Sequence, residues 1–334
     1  MAAVGRVSAC ASCWCAKVTI DPAALARVPG VAKDRACLCR ACATGEVAAN
    51  STQRTVDRGG REAIAIHGAG GTALVALDGA QVLSWQPDRA SGDVLWTGTR
   101  GEFLPGKPVR GGVPLVFPWF GDHPSDRAKP AHGFARNLRW QPVEGRPGAS
   151  ATFALADDAA TRDLWPHAFA LRYTVATHHG LELSLAITNR GTAPLRCEAA
   201  FHTYFAVGDV HTAVVHGLEG LPFVETASAP EANPDANAPL RFRAETDRVF
   251  QRVPDRLRIA APALRRTIEL ASTGARSAIV WNPGPAKCAR LSQLATDDWT
   301  KFVCVETACV REGAIELAPG GEHTLQLRLA VTHG

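Results

Sequence analysis

Apolar and polar residues alternate with a period of two over long parts of this chain. Leu171, Tyr173 and Val175 alternate with Arg172 and Thr174, and Leu181, Leu183, Leu185 and Ile187 alternate with Glu182, Ser184 and Thr188. That period places every second side chain on one face and predicts half-buried β-strands, with His178-His179-Gly180 as the hairpin turn between the two runs. Similar short runs recur at 73–77, 150–155, 277–281 and 323–331. Long amphipathic helices are scarce. Many short strands separated by Gly- and Pro-rich turns predict an all-β sandwich or barrel from about residue 62 onward. The Pro/Asn/Ala-rich stretch Ala227–Leu240 has no periodicity and reads as a loop. No internal repeat is visible. The spacing Gly68-Ala69-Gly70-Gly71-Thr72-Ala73 imitates a dinucleotide-binding fingerprint. Such a fingerprint must open a helix, and here it runs into ALVALDGAQVLSW, which reads as strand and turn.

The cysteines break this uniformity. Of 10 in the chain, Cys10, Cys13, Cys15, Cys37, Cys39 and Cys42 fall near the N-terminus, whereas Cys197, Cys288, Cys304 and Cys309 are scattered. The composition predicts a small cysteine-rich module over residues 1–48, a polar linker over 49–61, and the β domain over 62–334. The six clustered thiols, in two close groups, are candidate ligands of a structural zinc ion, whose tetrahedral sites take four thiolates.

With 334 residues, 46% hydrophobic and 20% charged, the chain has an ordinary globular composition. A net charge of +4 without a basic stripe argues against nucleic acid or an acidic membrane as partner. No apolar run approaches the roughly 20 residues of a spanning helix. The first residues lack the basic start and apolar core of a signal peptide, so a cytoplasmic protein with reduced thiols is expected. Oligomeric state has no signal in the sequence.

The densest chemistry lies in VRGGVPLVFPWFG (Val109–Gly121) and AHGFARNLRW (Ala131–Trp140). Here two glycines follow an arginine and a rigid aromatic block stands behind them, with His132 and Arg136 close in sequence. Arginine offers a planar fork of donors suited to carboxylate, phosphate or paired hydroxyls. Further on, His202 lies among aromatics in FHTYFAVGD (Phe201–Asp209), and Glu306 sits in the apolar run FVCVETA (Phe302–Ala308). A histidine titrates near neutrality, and a carboxyl buried in a cleft is pushed upward, which suits a general base.

These stretches, together with LDGAQVLSWQP (Leu77–Pro87), DVLWTG (Asp93–Gly98) and WNPGPAKC (Trp281–Cys288), resemble the hexose-6-phosphate mutarotases (glucose-6-phosphate 1-epimerases), a branch of the aldose-1-epimerase family. The resemblance spans roughly residues 60 to 330 in the family's order. It implies an antiparallel β-supersandwich of the galactose-mutarotase type with its cleft on a concave sheet face. It implies His202 as catalytic acid and Glu306 as catalytic base, with Arg110, His132, Arg136 and Asp247 as substrate contacts. Arg110 and Arg136 are the candidates for a phosphate. The implied reaction interconverts α and β anomers of a hexose 6-phosphate, most simply glucose 6-phosphate, without cofactor. Two alternatives stay open: 1-epimerisation of free aldoses by the same pair, and a non-catalytic sugar-binding sandwich. Ala131 departs from the pattern of those relatives that carry a polar residue before the histidine. The N-terminal spacing C-x2-C-x-C then C-x-C-x2-C resembles small cysteine-rich domains named for a Cys-Trp-Cys motif, here Cys13-Trp14-Cys15, without their usual additional upstream cysteine pair.

Overall fold

The computed structural model describes residues 50–88, 90–98, 107–143, 148–232 and 234–334. The six clustered cysteines, and with them the zinc expectation, lie outside the described residues.

The alternating runs form strands as their pattern requires. Phe169–Ala176 and Leu181–Asn189 pair antiparallel around the turn at 177–180, with Val175 opposite Leu183 and Tyr173 opposite Leu185. Their odd-numbered residues are buried, and the intervening residues are mostly half-buried or exposed. These two strands and Glu322–His333 are central to a nine-stranded sheet. A seven-stranded sheet lies against it, and the main core between them joins Tyr173, Leu183 and Leu325 of the former to Phe250, Val280, Val303 and Val305 of the latter. The described residues are thus mostly antiparallel sheet with short helical turns, the architecture the alternation predicts.

A four-stranded sheet precedes this sandwich and corrects the linker expectation. Residues Ser51–Val56 are a strand paired with Glu62–Gly68, in a register running from Ser51 opposite His67 to Val56 opposite Glu62. This is an edge strand, with no residue fully buried, so it has no apolar face to announce it. Asp57 closes the following turn by accepting from the Gly59 and Arg61 amides. The imitation fingerprint at 68–73 is the next hairpin turn, joining Glu62–Gly68 to Gly71–Ala76.

In the seven-stranded sheet, Phe223–Glu225, Thr246–Gln251, Ser277–Asn282, Phe302–Cys309, Ala199–Phe201 and Leu115–Val116 follow one another, and Tyr204–Ala206 also pairs with Phe302–Cys309. The strand Phe302–Cys309 is buried at every position. Val303 and Val305 face the main core, whereas Phe302, Cys304 and Ala308 belong to a second apolar cluster with Val249, Ile279, Trp281 and Tyr204. By alternation Glu306 shares that second face. The site is built there, on the side of the sheet away from the core.

Candidate active site

Sheet register brings the two proton-transfer candidates together. Phe201 opposes Thr307 and Tyr204 opposes Cys304, so the residues between them, His202 and Thr203, fall opposite Glu306 and Val305. Directly opposed residues of an antiparallel pair hold their Cβ atoms about 5 Å apart. His202 Nδ1 accordingly approaches Glu306 Oε1 to 3.3 Å, with both residues nearly buried at 6% and 1% exposure. Neither His202 Nδ1 nor Glu306 Oε2 has a hydrogen-bond partner, which leaves polar atoms free to meet a ligand.

The next strands supply the floor. Ile279 opposes Glu306, and Trp281 opposes both Cys304 and Asp247. Trp281 stands edge-on to His202, with ring centroids 6.0 Å apart. Asp247 is tied to Thr226, whose amide and hydroxyl donate to its carbonyl. Across the cleft, Gly111 and Gly112 adopt φ of 128° and 61°, and a Cβ on Gly112 would collide with the Val82 carbonyl. Only glycine fits this close approach, and it carries Arg110 to the rim. Arg110 Nη1 donates to the Tyr204 hydroxyl at 3.3 Å. His132 holds a left-handed φ of 60°, receives the Gly121 amide on Nδ1, and packs edge-on against Phe120.

Arg110, His132, His202, Asp247 and Glu306 therefore line one cleft of about 410 Å³, within the range of small-molecule pockets. Arg136 lies beside this cleft. From the turn Ala135–Asn137 it donates to the Ala131 carbonyl at 2.8 Å and lines an adjoining cavity of about 340 Å³. Arg110 and Leu291 border both spaces. The second cavity also receives Lys107, Arg290, Ser292 and Gln293, with no carboxylate among the described residues that line it. Arg110 and Arg136 each leave a buried Nε unpartnered.

Burial dominates the electrostatics. It pushes the Glu306 carboxyl well above the usual carboxylate range; Asp247 reinforces the shift and Arg136 opposes it. It pushes His202 well below 6.5, and His132, Arg136 and Arg110 add to that. The pair thus favours its uncharged arrangement. His132 is driven down to about 3 by burial, Arg136 and Arg110, so it is a neutral ring. Burial lowers Arg136 to about 10, which leaves it charged at neutrality. Burial also raises Asp247, with Lys287 acting against it.

Several site residues escaped the sequence reading. Lys287, on the short helix Gly284–Cys288, reaches Glu245 at 2.9 Å and Asp247 at 3.8 Å. Glu198 accepts the Phe120 amide at 2.8 Å and the Arg311 amide at 2.6 Å, and all three line the cleft. A lone carboxylate in the apolar run 197–201 was the available signal for Glu198. Lys107, Arg290 and Ser292 had none, because only the fold brings their loops to Arg136.

Comparison with known proteins agrees with this architecture. The family model for aldose 1-epimerase matches residues 62–330, and that for the cysteine-rich CWC domain matches residues 3–44. An Escherichia coli K12 protein named "Putative glucose-6-phosphate 1-epimerase" is 35% identical over 243 residues, covering 72% of this chain and 80% of its own. A Cenchrus ciliaris protein of the same name is 32% identical over 276 residues, covering 79% and 82%. The crystal structure of YeaD from Salmonella typhimurium, described as a "putative mutarotase", superposes with a TM-score of 0.74 at 30% identity over 85% of this chain and 94% of that one. A galactose mutarotase-like protein from Clostridium acetobutylicum shares the fold, with a TM-score of 0.64 at 13% identity over 86% and 99% of the two chains. A family match that begins in the first sheet and ends in the last strand takes in every described residue of the cleft, and the chain belongs to the aldose 1-epimerase family of isomerases.

Proposed function

We propose that this enzyme interconverts the α and β anomers of a hexose 6-phosphate, most simply glucose 6-phosphate, using Glu306 and His202 as its proton-transfer pair. Glu306 takes the proton of the C1 hydroxyl while His202 delivers one to the ring oxygen. The C1–O5 bond breaks, the aldehyde forms, and rotation about C1–C2 exposes its other face. Closure reverses both proton transfers, so protons balance and no cofactor is consumed. The two reacting oxygens share one carbon, which suits a pair whose nearest atoms lie 3.3 Å apart. Asp247 and His132 line the same cleft and are suited to hold ring hydroxyls.

One observation carries the choice of a phosphorylated sugar: the second cavity, where Lys107, Arg110, Arg136 and Arg290 converge and no carboxylate opposes them among the described residues. Arg110 and Arg136 are half-buried beside the exposed Lys107 and Arg290, and guanidinium forks match a phosphate dianion. C6 hangs from C5, which is bonded to the ring oxygen. The phosphate would thus lie on the His202 side, where Tyr204 and Arg110 open onto this cavity.

Anomer-resolved NMR on fresh α-glucose 6-phosphate and fresh α-glucose tests the reading. The phosphorylated sugar should be strongly preferred. Arg136→Ala should weaken its use by about 1.5–3 kcal/mol, the worth of a hydrogen bond to a charged group, with a much smaller effect on free glucose. Equal losses on both substrates would overturn the assignment.

A charged sugar phosphate does not cross a bilayer unaided, and the free thiols Cys197, Cys288, Cys304 and Cys309 suit a reducing compartment. Both support a cytoplasmic enzyme. No described helix is long and apolar enough to span a membrane. We further propose residues 1–48 as a separate module whose clustered thiolates hold a zinc ion.

A further inference from the structure

Tyr204 lines the cationic cavity and packs on His202 of the sugar cleft. Its hydroxyl accepts from Arg110, and its ring lies flat on the His202 imidazole, with centroids 4.9 Å apart and planes inclined by 5°. His202 thus borders the sugar cleft while Tyr204, stacked on it, borders the cationic cavity. The charged and titratable groups acting on His202 come from four places: Glu306 from the facing strand, His132 from the 131–134 loop, Arg136 from the turn behind it, and Arg110 from the Gly-Gly loop. Two of these are half-buried guanidinium groups, each with a buried and unpartnered Nε. Both charges resist a positive charge on the imidazole.

We propose that the cationic cavity is an anion-operated switch for His202: a tetrahedral oxyanion seated there, joined to the sugar or free, lets the imidazole take up the proton it delivers to the ring oxygen. The inference rests on reading this cavity as the phosphate pocket and adds a role to it. An oxyanion between Arg110 and Arg136 cancels both charges that act on His202. Arg136 also favours the Glu306 carboxylate, but the cavity meets the pair through Tyr204, which is stacked on His202, while Glu306 lines only the sugar cleft. The anion therefore acts first on His202. The phosphate then does more than anchor the substrate, since it sets the protonation that the chemistry needs. The same switch should work when sugar and anion are separate molecules.

Inorganic phosphite and free α-glucose are the probes, used with the full-length enzyme. Anomer exchange is followed by NMR, and catalysis by phosphite alone is subtracted. Phosphite should inhibit turnover of glucose 6-phosphate competitively. Over the same concentration range it should accelerate enzymatic turnover of free glucose, by about tenfold for each unit that the imidazole pKa rises. The His202 ring resonance, assigned by its loss in His202→Asn, should titrate at higher pH when phosphite is present. If phosphite competes with glucose 6-phosphate but changes neither free-glucose turnover nor the His202 titration, the cavity only anchors and the switch is wrong. If phosphite fails even to compete, the phosphate pocket itself is misplaced and the switch falls with it.

Discussion

Glu306 occupies a position where burial and chemistry pull in opposite directions. Its carboxyl is raised chiefly by burial, so ionising it at neutral pH costs folding stability. Below the ordinary carboxyl pKa, near 4.3, the folded and unfolded chains both hold the proton and nothing is lost. As pH rises toward the elevated folded value, the unfolded chain ionises first and stability falls. Glu306→Gln should therefore raise the melting temperature, by a margin that widens between about pH 5 and pH 8, while lowering turnover by roughly 10²–10⁴. Thermal melts across that range check the first part, and a pH-independent margin would mean an unperturbed carboxyl. His202→Ala should lose a similar factor in rate without unfolding. The pH profile of kcat/KM should be bell-shaped, its acid limb lying above the ordinary carboxyl range and both limbs belonging to the pair. The residue types of this pair were legible in the sequence, as a histidine among aromatics and a glutamate in an apolar strand. The upward push of burial on Glu306 was legible too, but the low His202 was not, because its burial and the charges of His132, Arg136 and Arg110 come from other elements.

Short elements are held to the cleft by side chains that the alternation pattern does not register. Glu198 follows the strand Leu195–Cys197 and binds the Phe120 and Arg311 amides, one on each carboxylate oxygen. Glu198→Leu removes both acceptors and leaves two partly buried amides unpaired, at a cost of about 1–3 kcal/mol. Because Phe120 and Arg311 line the cleft, KM should rise more than kcat falls. Glu198→Gln keeps one acceptor and should recover part of both losses. Steady-state kinetics with parallel melts checks this, and an unchanged KM would confine Glu198 to stability. The alternating strands were readable because one face of each packs on the core. Ser51–Val56 looks like linker in sequence because an edge strand without a buried face is polar like a linker.

At the scale of the whole molecule, the described residues that line the cleft and the cationic cavity all lie from position 107 onward. Removing residues 1–49 spares the edge strand and should leave a folded β domain with near-full epimerase activity. Metal analysis of purified protein should find about one zinc per full-length chain and none in the truncated form, since tetrahedral thiolate sites bind tightly. Lost activity on truncation would implicate the module in catalysis. By itself the sequence determined the all-β class and the hairpin turn at 178–180, because strand period is a local property carried by neighbours along the chain. Five residues of the cleft followed from the family resemblance of their motifs. Only the tertiary structure decided that His202 faces Glu306, through a register shared by two strand pairs. It alone set Arg136 in a separate space with Lys107 and Arg290. Register and cavity walls arise from segments more than a hundred residues apart, and no local pattern records which loops will meet.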